Sequence, residues 1–169
     1  MSGAQNRSAF ALAVSLMVMA ADLQAADSAS PPEPPGIRSA YTLTPLRDGT
    51  WLLAGGYVRG TDPRNQADYP TNEALICNST RGTWTNTAAM TTKRIWHAAA
   101  RLSDGRVLVL GGQSGGSRSD LPSAEIYNPV TGAWTNTGSL NVARRGHKAT
   151  LLSDSRVLVT GGVADRTNC

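Results

Sequence analysis

Short apolar runs separated by glycine, proline and polar turns make up the chain from residue 38 onward. The clearest stretch predicts four strands, at Trp96–Leu102, Arg106–Leu110, Ala124–Asn128 and Ala133–Thr137. The turns between them are Ser103-Asp104-Gly105 and Pro129–Gly132, in which Asp and Gly tolerate positive φ. No segment shows a sustained helical period, so the pattern predicts an all-β protein.

This strand pattern repeats along the chain. Residues 124–162 align with residues 74–112 at an offset of 50, and roughly half of the aligned positions are identical. A more divergent first copy precedes them at an offset of 56, with its additional residues between Gly56 and Glu73. Four short strands per repeat indicate propeller blades. We therefore expect blades at residues 38–93 and 94–143, half of a third blade at 144–162, and a C-terminal tail at 163–169.

An arginine precedes a tyrosine or histidine by three residues at the start of the innermost strand of every copy. The pairs are Arg38 with Tyr41, Arg94 with His97, and Arg144 with His147. Because arginine binds carboxylates or sulfates and histidine binds metals or moves protons, these six residues are the candidate ligand-binding set. Since they recur at the same place in each repeat, the alternative is that they join neighbouring blades.

Other repeated residues are expected to be structural. They are Gly55, Gly56, Trp84, Gly111, Gly112, Tyr127, Trp134, Gly161 and Gly162. The repeated carboxylates Asp48, Asp104 and Asp154 are predicted to be hairpin-turn residues. Cys77 stands where the next copy has Tyr127, and we predict a small buried residue there. A reactive thiol, or a bridge to the other cysteine, Cys169, is the alternative.

The Gly-Gly pair after a hydrophobic strand, followed by Tyr127 and Trp134, resembles the kelch repeat. The resemblance covers about residues 37–162 and extends to bacterial secreted kelch proteins, including the propeller of galactose-oxidase-like enzymes. It implies an all-β, kelch-type β-propeller fragment of about two and a half four-stranded antiparallel blades. Because such propellers close with roughly six or seven blades, we expect further kelch blades, from the same gene or from other chains, as partners.

The first 25 residues have the pattern of a secretory signal peptide, with an uncharged apolar run from Ser8 to Ala21. Residues 26–37 follow as a proline-rich linker. The sequence therefore predicts a secreted or periplasmic protein with no stable membrane span after cleavage. An uncleaved membrane anchor is the alternative.

The charge distribution and the motifs of the chain narrow the range of functions that the sequence supports. Sixteen Lys and Arg against twelve Asp and Glu give a net charge of +4. Because the basic residues are spread along the chain and form no cluster, the sequence argues against nucleic-acid binding. No metal, cofactor or catalytic motif is recognisable, and the copper ligands of galactose oxidase have no match. We expect a secreted binding scaffold for protein or carbohydrate ligands, with loops Tyr57–Tyr69 and Gln113–Leu121 as a second candidate surface. The alternative is part of a secreted kelch enzyme acting on sugars, either an oxidoreductase or an isomerase.

Overall fold

The computed structural model describes residues 30–36, 38–60, 67–115 and 119–164. Its strands are β1 (Arg38–Ser39), β2 (Thr42–Pro45), β3 (Trp51–Ala54), β4 (Tyr57–Arg59), β5 (Asp68–Pro70), β6 (Ala74–Asn78), β7 (Thr83–Asn86), β8 (Ala98–Arg101), β9 (Val107–Leu110), β10 (Ala124–Asn128), β11 (Ala133–Thr137), β12 (Arg145–Leu151) and β13 (Val157–Val163). No helix occurs in these residues, and the all-β prediction is confirmed.

Two antiparallel sheets of four strands correspond to two kelch-type blades. Blade 1 has the strand order β2-β3-β6-β7, and blade 2 has the order β8-β9-β10-β11. Strands β12 and β13 pair with each other as half-blade 3. The described residues do not close into a ring. The sheets match the predicted architecture, although β8 begins at Ala98 because Trp96 has a φ of 52° and lies outside the β region.

The segment from Tyr57 to Tyr69, predicted as a loop, contains strands in the structure. β4 and β5 pair antiparallel, and β4 also pairs with β1, which gives a separate three-stranded sheet. The prediction missed these strands because each has three residues or fewer, too short for a pattern of alternation. In blade 2 the same place holds two isolated bridges, which join Gln113 to Ile95 and to Asp120.

The hydrophobic core lies between neighbouring sheets. One cluster joins blade 1 to blade 2 and contains Leu46, Leu52, Ala54, Ala74, Met90, Val107, Val109 and Tyr127. A second joins blade 2 to half-blade 3 and contains Ala98, Ala100, Leu110, Ala124 and Ala149. Cys77 is fully buried with a free thiol, and burial raises the pKa of that thiol. The prediction of a small buried residue there is confirmed, while Cys169 lies outside the described residues.

The proline-rich segment packs against blade 1 over its described part, residues 30–36. The indole Nε1 of Trp84 donates a hydrogen bond of 3.1 Å to the carbonyl of Glu33. In blade 2 the indole of Trp134 donates in the same way to the carbonyl of Ala88, at 2.8 Å. The segment therefore takes the place of the connector that leads from one blade to the next.

The predicted signal peptide, residues 1–25, lies outside the described residues. Within the described ranges, the fold has no helix with the length and apolar character needed to cross a membrane.

Candidate functional site

Arg94 is fully buried, and its guanidinium binds groups of its own blade. Nη1 donates to the carbonyls of Gly111 and Ser123, at 3.0 and 2.9 Å. Nη2 donates to the hydroxyl of Ser123 and to Oε1 of Glu125, both at 3.0 Å. The carboxylate that Arg94 binds is therefore internal and belongs to strand β10.

Glu125 completes this buried network. Its side chain is fully buried, and its two carboxylate oxygens accept hydrogen bonds from the backbone N–H groups of Thr91 and Thr92, at 2.7 and 3.2 Å. Burial lowers the pKa of Arg94, and Glu125 opposes that shift. Sequence reasoning missed Glu125, although a single acid within the apolar run of β10 was a usable signal. The counterpart of Glu125 in blade 1 is Leu75.

The other two repeated arginines also bond to groups of their own repeats. In blade 1, Nη2 of Arg38 donates to Oε2 of Glu73 at 2.7 Å. In half-blade 3, Nη1 of Arg144 donates to the carbonyl of Gly161 at 2.9 Å, which is the counterpart of the bond from Arg94 to Gly111. The three guanidinium groups thus bond to equivalent positions of the repeat. The acidic residue that binds the arginine differs between the blades: it is Glu73 in blade 1 and Glu125 in blade 2.

Both histidines lie in the junction with the preceding blade, and each is 6% exposed. Nε2 of His97 is hydrogen-bonded to Oγ1 of Thr42, in blade 1, at 2.9 Å. The His97 ring stands against Gly55, where an added Cβ would lie 2.9 Å from Cε1. The His147 ring stands against Gly111 in the same way, and an added Cβ there would lie 2.5 Å from Cε1.

The Gly-Gly pairs bond neighbouring sheets through their backbone. The N–H of Gly56 donates to the carbonyl of Arg94, and the N–H of Gly112 donates to the carbonyl of Arg144, both at 2.8 Å. A Cβ at Gly112 would lie 2.8 Å from Cβ of His97, so a bulkier residue would clash with its own blade.

We call these repeated residues the junction set: Arg38, Tyr41, Gly55, Gly56, Arg94, His97, Gly111, Gly112, Arg144, His147, Gly161 and Gly162. Tyr41 joins it through Gly56, where an added Cβ would lie 2.8 Å from the Cβ of Tyr41. Six residues of the set contact the neighbouring blade: Gly55, Gly56, His97, Gly111, Gly112 and His147. The guanidinium groups of the arginines bond within their own repeats. Ligand binding by the arginines, tyrosine and histidines of the set stays a prediction.

Beside the junction set, three residues with left-handed backbone form a line across the blades. Ala40, Trp96 and Gly146 have φ values of 55°, 52° and 65°. The N–H of Trp96 donates to the carbonyl of Ala40 at 3.3 Å, and the N–H of Gly146 donates to the carbonyl of Trp96 at 2.8 Å. A bulky residue at positive φ is an outlier. Sequence reasoning missed Trp96, although it replaces the Ala and Gly of the other copies.

Trp96 belongs to an exposed aromatic surface. Its side chain is 43% exposed, and its ring meets that of Tyr57 edge-to-face, with centroids 5.7 Å apart. Tyr69 is 50% exposed on the neighbouring strand β5. Next to it, Pro70 lies so close to Gly115 that an added Cβ would be 2.5 Å from the proline ring. The second of the two candidate loops, Gln113–Leu121, therefore contacts strand β5 at Gly115.

The described residues contain no group of three or more His, Cys, Asp or Glu that could hold a metal ion. Asp48, Asp104 and Asp154 lie in hairpin turns, where each Oδ1 accepts the backbone N–H two residues later. Arg106 and Arg156 hold the pKa values of Asp104 and Asp154 below their usual range. The turn role predicted for these carboxylates matches this geometry.

The buried histidines make stability depend on pH. Burial, with Arg94 and His147 nearby, lowers the pKa of His97 to about 3, and burial with Arg144 nearby lowers that of His147. Since the unfolded state then binds more protons below about pH 6.5, stability is lost as pH falls from 6.5 toward 3. We expect the free energy of unfolding to drop by about 2 kcal/mol from His97 between pH 7.5 and 5.0.

Urea denaturation at both pH values tests this expectation. The variant His97→Gln keeps a polar side chain that does not titrate, so its stability should depend less steeply on pH. Equal slopes for the variant and the natural chain would show that His97 is not held neutral by its surroundings.

The two histidine sites differ in a threonine hydroxyl, which is present beside His97 and absent beside His147. Neither ring nitrogen of His147 has a hydrogen-bond partner within the described residues, whereas Nε2 of His97 is bonded to Thr42. The repeat places Ala98 where blade 1 has Thr42. Ala98→Thr should therefore be more stable than the near-isosteric Ala98→Val by about 1 kcal/mol, the value of one net hydrogen bond. Urea denaturation of both variants measures this difference, and equal midpoints would contradict it.

Comparison with known proteins supports the kelch assignment of the repeat. Residues 97–141 match the family model described as the Kelch motif, and these residues run from the start of blade 2 to just beyond its last strand. A search of curated proteins found no match. The chain thus carries a Kelch motif at residues 97–141, within an all-β fold of kelch-type blades.

Proposed function

We propose that this protein is a non-catalytic binding scaffold whose ligand lies against Trp96. The observation that carries the proposal is a bulky, 43% exposed side chain at a backbone position of positive φ. Such a position costs about 1–2 kcal/mol for a residue other than glycine. The hydrogen bonds that Trp96 makes there use backbone groups alone. At the equivalent positions of the neighbouring repeats, the small residues Ala40 and Gly146 take part in the same hydrogen bonds. The backbone hydrogen bonds between the blades therefore do not require an indole, and its exposed ring is left for a ligand.

The ligand class that we propose is carbohydrate. Exposed Trp and Tyr rings combine an apolar face with a polar edge, which suits sugars that carry both C–H faces and hydroxyl groups. Trp96 and Tyr57 provide two rings in contact, and Pro70, which pairs with Tyr57, lies against Gly115. The signal-peptide pattern of residues 1–25 supports an exported protein, secreted or periplasmic, where glycans are common ligands.

Binding to an array of immobilised neutral and acidic oligosaccharides, with the purified chain as probe, tests this function. Trp96→Ala should reduce binding to the recognised glycans at least tenfold. Its stability should stay within about 1 kcal/mol of the natural chain, because the half-exposed ring loses only its edge contact with Tyr57 and alanine, which keeps the Cβ, has the same backbone cost. Val130→Ala is the matched control, since Val130 is 91% exposed in a turn and should not change binding.

Two results would overturn the proposal. One is the absence of binding to any oligosaccharide by the folded chain. The other is glycan binding that Trp96→Ala leaves unchanged. Capture of a polypeptide ligand that depends on Trp96 would retain the scaffold role and replace carbohydrate by protein as the ligand class.

A further inference from the structure

The three-stranded sheet of β1, β4 and β5 carries a charged pair on the face that meets Trp96. Successive residues of a strand point to opposite faces, so Tyr57 and Arg59 share one face of β4, about 7 Å apart along the strand. Asp68 of β5 pairs with Arg59 in the register of the two strands and lies on that same face. Because the Trp96 ring contacts the Tyr57 ring, the charged pair stands beside the two aromatic rings.

Arg59 and Asp68 are close enough to neutralise each other but too far apart to hydrogen-bond. Nε of Arg59 lies 3.7 Å from Oδ1 of Asp68, and the side chains are 48% and 51% exposed. A hydrogen bond between these atoms would be about 2.7–3.2 Å long. An exposed pair of this kind contributes little to stability. The guanidinium and the carboxylate therefore present donors and acceptors side by side at the surface, with no net charge.

The blade architecture does not require this charged pair. The residues of blade 2 at the positions of Tyr57 and Arg59 are Gln113 and Gly115. At this place blade 2 has two isolated bridges where blade 1 has the paired strands β4 and β5. Blade 2 nevertheless forms the same four-stranded sheet as blade 1. The rings and charges of β4 and β5 are therefore available for a role that is specific to blade 1.

We propose that Arg59 and Asp68 make the glycan site at Trp96 selective for neutral sugars, whose hydroxyl groups donate to Asp68 and accept from Arg59. This inference rests on the proposed glycan function and names the class of sugar. A hydroxyl group both donates and accepts hydrogen bonds, so it matches the charged pair. The carboxylate of an acidic sugar only accepts them, so it binds Arg59 but is repelled by Asp68.

Affinities for hexose oligosaccharides and for the corresponding uronic-acid oligosaccharides test this selectivity. The natural chain should bind the hexose form more tightly. Asp68→Asn should shift the ratio of the two affinities toward the uronic-acid form by about fivefold, because the repulsion is removed and Arg59 is left to bind the carboxylate. Arg59→Gln should weaken binding of both forms and shift the ratio in the opposite direction, since Asp68 then stands alone.

The matched controls change the same charges at a pair of nearly equal exposure. Arg106 and Asp104 are 46% and 48% exposed in the hairpin turn that follows β8, whereas Trp96 precedes that strand. Arg106→Gln and Asp104→Asn should therefore leave the affinity ratio unchanged. If they shift it as much as the variants of Arg59 and Asp68 do, the net charge of the protein sets the preference and the proposal is wrong.

Two further results would overturn the selectivity while leaving the glycan function in place. One is Trp96-dependent binding in which the natural chain prefers the uronic-acid form. The other is a preference for the hexose form that Asp68→Asn and Arg59→Gln both leave unchanged. In each case Trp96→Ala still reduces binding, which identifies the failure as one of selectivity. Glycan binding that does not depend on Trp96 would contradict the proposed function and this inference together.

Discussion

Replacing Arg94 by methionine should lower the free energy of unfolding by about 3–5 kcal/mol, the largest loss that we expect from a single side chain. The substitution keeps most of the buried volume but leaves the fully buried carboxylate of Glu125 without its cation. It also removes the donors to Gly111 and Ser123. Urea denaturation followed by tryptophan fluorescence measures the change.

Two further variants separate this loss from a simple loss of charge. Adding Glu125→Leu to Arg94→Met should recover much of the stability, because the repeat itself places a buried leucine, Leu75, at the same position of blade 1. Arg106→Met removes an exposed arginine that pairs with Asp104 and should change stability little. If Arg94→Met alone leaves stability unchanged, the buried pair does not hold blade 2 as described.

Gly111→Ala should destabilise the fold by about 2–4 kcal/mol. The residue has a φ of 63°, so any side chain carries a conformational cost of about 1 kcal/mol. The new Cβ would also lie 2.5 Å from Cε1 of His147 and 2.8 Å from the carbonyl of Arg144. Relieving these contacts means pushing half-blade 3 away from blade 2, which adds an overpacking cost of about 1–3 kcal/mol.

Gly161→Ala is the matched control for this variant. Gly161 occupies the same position of the next repeat with a φ of 70°, yet an added Cβ there meets nothing within 4 Å. Its substitution should therefore cost about 1 kcal/mol, the conformational cost alone. Thermal or urea denaturation of the two variants gives the comparison. Equal losses would mean that the glycine is required for its backbone angle and not for the approach of the neighbouring blade.

The strands of the blades were predictable because their patterns are local. β10 and β11 have the predicted bounds, since the asparagine, proline and glycine of the turn between them end each strand sharply. Gly111 and Gly112 were predicted to end the strand before them, and β9 ends at Leu110. The corresponding pair in half-blade 3, Gly161 and Gly162, instead lies inside β13.

The residues missed by sequence reasoning depend on contacts between distant segments. Glu125 is recognisable as an internal partner only once Arg94, 31 residues away, is known to reach it. The left-handed backbone of Trp96 follows from hydrogen bonds to both neighbouring sheets, which no local propensity describes. For the same reason, the repeat identified the arginines and histidines as a set but left their role open between ligand binding and blade contact.

The claim that the repeated glycines and histidines join neighbouring blades is tested most directly by a double-mutant cycle between Gly111→Ala and His147→Ala. If the two residues meet across the junction, removing the imidazole relieves part of the clash. The loss caused by Gly111→Ala should then be smaller by at least about 1 kcal/mol in the His147→Ala background. Strictly additive losses would contradict the account, because they would show that the two positions do not contact each other in the folded protein.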